Sequence, residues 1–175
     1  MEIIIGKADL NQFENVMCFY YNLIDSMQNL EFKPLWKKDI YPTKQFIYNS
    51  IKKNELYIAQ NDNCIIGAMV INQNPSSGYE NLNWKVSAKN SEVIIIHALG
   101  VLLEYQGKGI AMQMVNYVIN YCKDKNMKAI RLDVLEQNRP AQKLYTKMGF
   151  VFLDKIQLFY EDTGLTDFLL YELEL

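Results

Sequence analysis

The chain has one histidine, three cysteines, four prolines and eight glycines in 175 residues, and each scarcity removes a class of answer. A single histidine leaves no Cys/His set for zinc, and Cys18, Cys64 and Cys122 form no C-x-x-C pair. Three thiols far apart in sequence do not make a disulfide framework; buried, reduced cysteines in a cytoplasmic protein are the expectation. There is no basic excess. The 18 Lys and Arg stand against 20 Asp and Glu, a net charge of −2, which argues against a general nucleic-acid binder. The longest apolar run, Val93 to Leu103, is broken by His97 and is too short to span a bilayer as a helix, so no membrane partner is expected. Met1 to Lys7 lacks a basic segment ahead of a long apolar core and reads as a strand rather than a signal peptide. No repeat, low-complexity tract or Gly/Ser/Pro linker divides residues 1–175. One domain is expected, large enough to bury roughly 70% of the surface of the unfolded chain.

What is present is half hydrophobic and 22% charged, in globular proportion. Ile3 to Ile5 opens as a strand, and Asp9 with Gln12 reads as a capping box. Behind it Leu10, Phe13, Val16/Met17, Tyr20, Ile24 and Met27 make the stripe of an amphipathic helix. Thr43 caps a second helix to about Lys53 with Phe46, Ile47 and Ile51 inward. Leu56–Gln60 and Cys64–Gln73 form a hairpin about Asn61-Asp62-Asn63. The stretch from Glu92 to Val101 reads as a strand buried on both faces. A helix follows from about Ile110 to Lys125, with Ile110, Met114, Tyr117/Val118 and Tyr121 inward. Ala129–Val134 is a strand, Asn138 caps a helix ending at Met148-Gly149, and Phe150–Tyr160 and Asp167–Leu175 are closing strands. Helices set among strands indicate an α/β or α+β sandwich around one central sheet.

The chemistry concentrates where the buried strand runs through Gln106-Gly107-Lys108-Gly109-Ile110-Ala111 into a helix. Unpaired N–H groups and the positive end of the helix dipole make such a turn an anion site, commonly for phosphate. It is not a Walker A loop, because Gly107-Lys108 is followed by Gly109 and no hydroxyl stands ready for Mg²⁺. A dinucleotide fingerprint fails too, since its third glycine position holds Met112 and the loop lies late in the chain. The spacing Gln106-x-x-Gly109-x-Ala111 behind Leu99-Gly100-Val101 resembles the acyl-CoA loop, R/Q-x-x-G-x-G/A, of the GNAT superfamily of N-acetyltransferases. Leu103 stands where many members have proline. A second block, Asn138-Arg139-Pro140-Ala141 to Leu144-Tyr145 and Gly149-Phe150, is similar to that family's N-x-x-A-x-x-[LF]-Y-x-x-x-G-F.

The resemblance covers about Leu56 to Tyr160, and what it implies is specific. The fold is a three-layer α/β/α sandwich whose mixed, mostly antiparallel central sheet is splayed at the CoA site. The activity is acetyl transfer from acetyl-CoA to a primary amine by direct attack in a ternary complex, with no metal. The backbone of Leu99, Gly100 and Val101 pairs with the pantetheine arm, and the Val101 N–H meets the oxyanion. Residues Gln106, Gly107, Lys108, Gly109, Ile110 and Ala111 cradle the pyrophosphate, while Asn138 and Ala141 border the pantetheine. Lys143 and Lys147 either meet phosphate at the nucleotide end or are simply solvated. Tyr145 takes the general-acid position, and an ordinary phenol is protonated at neutral pH; the plain reading is a core tyrosine.

His97 resembles in position one of the base histidines of aralkylamine acetyltransferases. Strand alternation puts it on the face of Leu99 and Val101. The competing reading is a buried histidine satisfied by a neighbour. Glu80, Glu92 and Glu104 are weaker base candidates, and the amine can also lose its proton to solvent. Tyr79, Trp84 and Trp36, with Tyr20, Tyr21 and Tyr41, line either an acceptor pocket or the core. The acceptor stays open between a small amine, a polyamine, a peptide or ribosomal-protein N-terminus and a protein lysine; an acidic acceptor face would favour a basic protein or polyamine, a closed aromatic pocket a small amine. A catalytically silent acyl-CoA sensor and a regulatory subunit are the non-enzyme readings. Many relatives dimerise, so a homodimer is open as well.

Overall fold

The computed structural model describes residues 2–31, 34–76, 78–79 and 82–175; Glu80 lies outside the described residues. Ile4–Lys7 forms β1. Leu56–Asn61 (β2) and Cys64–Asn72 (β3) make the hairpin, with Asp62 and Asn63 at φ 47° and 64°. Short polar side chains are what such a left-handed turn tolerates.

Two helices, α1 (Phe13–Ser26) and α2 (Lys44–Lys52), stand between β1 and β2. The Asp9 N–H donates to Gln12 Oε1 at 2.9 Å, but the first turn is a 3-10 turn over Leu10–Gln12 and the α-helix begins only at Phe13. That tighter winding carries Leu10 out of the 3.6-residue stripe, and it is exposed rather than inward. Val16, Met17, Tyr20, Ile24 and Met27 are buried. Thr43 Oγ1 accepts from the Phe46 N–H at 3.0 Å and starts α2.

The remaining elements are β4 (Val93–Val101), α3 (Ile110–Asp124), β5 (Ala129–Leu135), α4 (Arg139–Lys147), β6 (Val151–Tyr160) and β7 (Gly164–Glu174). Among the described residues the seven strands form one sheet in the order β1-β2-β3-β4-β5-β7-β6, antiparallel throughout except between β4 and β5. Helices α1 and α2 cover one face, setting Val16, Tyr20, Leu23 and Ile47 on Ile58, Ala68 and Val70. On the other face α3 and α4 set Ile110, Met114, Val118 and Tyr145 on Ile66, Met69, Ile130 and Leu132. Each such side chain, fully buried, contributes about 1.5–3 kcal/mol. This is the mixed, mostly antiparallel sandwich that the motifs implied. No helix among the described residues is long and apolar enough to cross a membrane.

Two packing expectations are corrected. The inward stripe of α3 runs Ile110, Met114, Val115, Val118 and Cys122, whereas Tyr117 and Tyr121 pack at the margin against Tyr57. Only Cys122 is buried; Cys18 on the outer side of α1 and Cys64 at the hairpin turn are exposed.

The site is created by a break in the sheet. Strands β4 and β5 pair only over Val93–Ile95 and Ala129–Arg131. Beyond that point β4 stays on β3 as far as Val101, β5 stays on β7 as far as Leu135, and the two part. A β-bulge marks the departure: Val70 faces His97 but Ala68 faces Gly100, and Ala98 takes φ 50°. An extra residue bends its strand and resets the alternation. The Tyr20 hydroxyl fixes the bulge by donating to the Ala98 carbonyl at 2.9 Å. His97 therefore lies opposite Val70, on the α1/α2 face, while Leu99 and Val101 pack on the α3/α4 side. The expected common face for His97, Leu99 and Val101 does not exist.

Candidate active site

A cavity of about 370 Å³ opens where β4 ends, between the start of α3, the start of α4 and, from the other side, Leu23 of α1 with Met27, Leu30 and Trp36. All the residues assigned to the cofactor reach its wall except Lys108. Lys108 is exposed, and its Nζ lies 5.0 Å from the centre of the Tyr105 ring. Leu102 donates its N–H to Ile66 O on β3 at 2.9 Å, so by alternation the Val101 N–H faces the open side. The Val101 carbonyl is taken by Gln106 Nε2 at 2.9 Å, which ties the loop to the end of β4.

Gly107 and Gly109 hold φ 74° and 81°, and nothing lies within 4 Å of a Cβ at either. They serve the backbone path, not a crowded approach. Crowding governs Gly100 instead, where a Cβ would stand 2.4 Å from Leu23 Cδ2 and 3.3 Å from Trp36. Gln113 donates its N–H to Gly109 O at 3.0 Å, and the N–H groups ahead of it have no α-helical acceptor. With the helix dipole they turn a positive potential toward the mouth of this cavity, the arrangement that suits an anion. Lys143 and Lys147 are exposed on α4.

A second, smaller cavity of about 110 Å³ adjoins the first on the far side of the splay. Leu99, Asn138, Ala141, Tyr145 and Trp36 border both. Asn138 Oδ1 accepts from the Ala141 N–H at 3.3 Å and caps α4. Tyr145 is buried, its ring edge-on to Phe150 at 5.4 Å. Its hydroxyl has no hydrogen-bond partner among the described residues. Burial, and then the charge of Asp133, raise its pKa above the ordinary phenol value, so it holds its proton at neutral pH.

Sequence reasoning missed Asp133. It lines the smaller cavity from β5, enclosed by protein but open to that space. Its Oδ2 accepts from the Tyr79 hydroxyl at 2.7 Å and from Tyr160 at 3.1 Å, and Tyr160 also bonds Ser76 at 2.8 Å. Burial raises the carboxyl pKa while the two phenols pull it down. The signal was present in Ile130-Arg131-Leu132-Asp133-Val134, where charges interrupt a strand otherwise made for burial. Arg131 is accounted for by Glu172, at 2.9 Å, and by the Val86 carbonyl at 2.9 Å.

His97 also reaches the smaller cavity, but as a satisfied buried group. Its Nε2 is 3.1 Å from Asn72 Oδ1, the Asn74 backbone bonds it too, and burial pushes its pKa down to about 4. Of the three aromatics singled out, Trp36 stands at both cavities. Tyr79 and Trp84 line a separate hollow with Arg131, whose guanidinium lies 4.2 Å from the Trp84 ring, and Tyr79 reaches the site through its hydrogen bond to Asp133. Glu92 pairs with Lys128 at 2.9 Å, and neither it nor Glu104 borders a cavity of the splay. Among the described residues no group of three or more His, Cys, Asp or Glu could hold a metal ion.

Residues 21–150 match the acetyltransferase (GNAT) family. A 68-residue stretch is 31% identical to an uncharacterised N-acetyltransferase of Methanocaldococcus jannaschii, covering 39% of this chain and 30% of that protein. The fold superimposes on a GNAT-family acetyltransferase from Streptococcus agalactiae with a TM-score of 0.82, at 18% identity and over 99% and 95% of the two chains. It also superimposes, with a TM-score of 0.72, 12% identity and 99% and 94% coverage, on a Salmonella typhimurium protein solved with its cofactor acetyl-CoA.

Proposed function

The chain belongs to the acetyltransferase (GNAT) family, and from that premise we propose that it transfers an acetyl group from acetyl-CoA to a primary amine, with both substrates bound at once. The observation that carries this reading is the meeting of two cavities at Leu99, Asn138 and Tyr145, the larger opening on the glycine loop at the start of α3. Acetyl-CoA supplies an activated acyl thioester and a thiol leaving group. The pantetheine arm runs beside Leu99 to Val101, on the side where β4 has parted from β5, and adds to that open edge by β-augmentation. Backbone N–H groups of residues 107–111 hold the pyrophosphate, that of Gln106 being donated to the Leu103 carbonyl at 3.1 Å, and the Val101 N–H faces the position of the oxyanion. Tyr145, protonated and without a protein partner, donates to the departing sulfur.

The test is amine-dependent release of free thiol from acetyl-CoA. Tyr145→Phe keeps the ring packing and lowers kcat by about 10²–10⁴-fold, while acetyl-CoA affinity changes by less than about threefold. Binding of acetyl-CoA with no thiol release against any primary amine would instead identify a silent acyl-CoA sensor.

A further inference from the structure

Resting on that reading, we propose that Asp133 binds the acceptor's ammonium group and takes its proton, and that the acceptor is a compact amine cation carrying no carboxylate. The smaller cavity is walled by Trp36, Tyr41, Tyr160 and Phe168, with the carboxylates of Asp133 and Asp162. No Lys or Arg lines it among the described residues. The groups that face Asp133 are the phenols of Tyr79, of Tyr160 on β6, of Tyr145 on α4 and of Tyr41 ahead of α2. Asp162 shares the cavity from the turn after β6, and His97 on β4 is neutral. Arg131, on the same strand as Asp133, is held by Glu172.

A buried carboxylate facing only phenols and a second acid lacks an internal counter-charge. Both phenols bond Oδ2, and Oδ1 has no donor among the described residues. An ammonium group supplies both the missing charge and the missing donor, and the aromatic walls add cation–π attraction. Asp162 differs, since backbone N–H groups bond its carboxylate and Lys37 lies within its field. An acceptor with its own carboxylate would bring a third negative charge into a space without a cation, which works against amino acids.

The proton balance closes. The ammonium gives one proton to Asp133, and the freed nitrogen forms the C–N bond to the acyl carbon as the C–S bond breaks. Tyr145 protonates the departing sulfur and is restored by the nitrogen's second proton. Asp133 later returns its proton to solvent, so one proton is released per amide formed.

The experiment uses acetyl-CoA with three probes: 1,5-diaminopentane, lysine (the same chain plus a carboxylate), and a tripeptide amide. Wild-type kcat/KM for the diamine exceeds that for lysine by about tenfold or more. It is level from the acid limb of Asp133 up to the amine's own pKa, because carboxylate and ammonium react together. Asp133→Asn lowers it by about 10²-fold or more, and the remainder climbs about tenfold per pH unit, as for an amine deprotonated by solvent. Tyr160→Phe stays active but moves the acid limb to higher pH, since a donor that lowers the pKa of Asp133 is lost.

The thermal shift given by acetyl-CoA is unchanged in both variants and reports that they are folded. The proposal is overturned if Asp133→Asn keeps kcat/KM within about threefold, if wild-type kcat/KM climbs to the amine's pKa without levelling, or if lysine or the tripeptide amide is preferred. Wild-type protein that neither binds acetyl-CoA nor releases thiol would fail the acetyltransferase reading itself, a separate result.

Discussion

The two sides of the splay are built in different ways. The cofactor side draws most of its wall from two contiguous stretches, Leu99 to Met112 and Asn138 to Tyr145, and its glycine loop depends on backbone conformation more than on side-chain identity. The acceptor side is made of side chains delivered from separate places: Trp36 and Tyr41 ahead of α2, Asp133 on β5, Tyr145 on α4, Tyr160 on β6 and Asp162 in the turn after it. A backbone site is damaged by adding a Cβ where φ is positive. A side-chain site is damaged by removing one charge or hydroxyl. The two sides should therefore fail separately.

The largest effect is expected behind the acceptor wall. The buried Arg131–Glu172 pair also binds both ends of the Val86 peptide, with Val86 N–H donating to Glu172 Oε2 at 3.0 Å, and so pins the segment beside Tyr79. Glu172→Gln leaves the guanidinium without its counter-charge and lowers stability by about 3 kcal/mol, a fall of about 6–12 °C in Tm. Thermal denaturation measures the loss. Steady-state kinetics should show KM rising more for the amine than for acetyl-CoA, and equal rises would erase the distinction between the two sides.

The next effect is a pH dependence. The native pKa of His97, about 4, lies below the ordinary imidazole value of 6.5. Between those values the unfolded chain binds a proton that the native state refuses. Its contribution is thus complete above pH 6.5 and is lost as pH falls toward 4, by about 3 kcal/mol in all. Asp133 acts with the opposite sign, because its native pKa is raised and protonation favours the folded state as pH falls. Comparing wild type with His97→Asn isolates the histidine. The variant's stability should fall less between pH 6.5 and 4 in denaturant titrations, and parallel curves would refute the burial account.

The smallest effect belongs to the cofactor side. Gly109→Ala meets no neighbour, so its cost is the left-handed backbone alone, about 1–2 kcal/mol. Affinity for acetyl-CoA should weaken by about tenfold in direct binding, with kcat at saturating acetyl-CoA nearly unchanged.

The same contrast explains what could be read from the sequence. Glycine spacing, the Asn138 cap and the Tyr145 block are local patterns, so the loop, α3 and α4 were legible with their boundaries close to those found. So was the sandwich, from periodicity and the order of elements. The face of His97 was not, because it depends on a bulge at Ala98, a residue whose type gives no warning of a positive φ. Its fixing contact comes from Tyr20, far earlier in the chain. Asp133 escaped notice for the related reason that its partners Tyr79 and Tyr160 lie in other elements. Leu10 fell out of its stripe because periodicity carries no mark of a 3-10 turn.

Thermal denaturation with acetyl-CoA, with CoA and with NADH as a control tests the central claim most directly. At about 100 times the dissociation constant a ligand adds roughly 2.7 kcal/mol, a rise of about 5–10 °C for a chain of this size. That rise is expected with acetyl-CoA and with CoA, and none with NADH. A folded protein that none of the three stabilises, or that NADH stabilises equally, would contradict that claim.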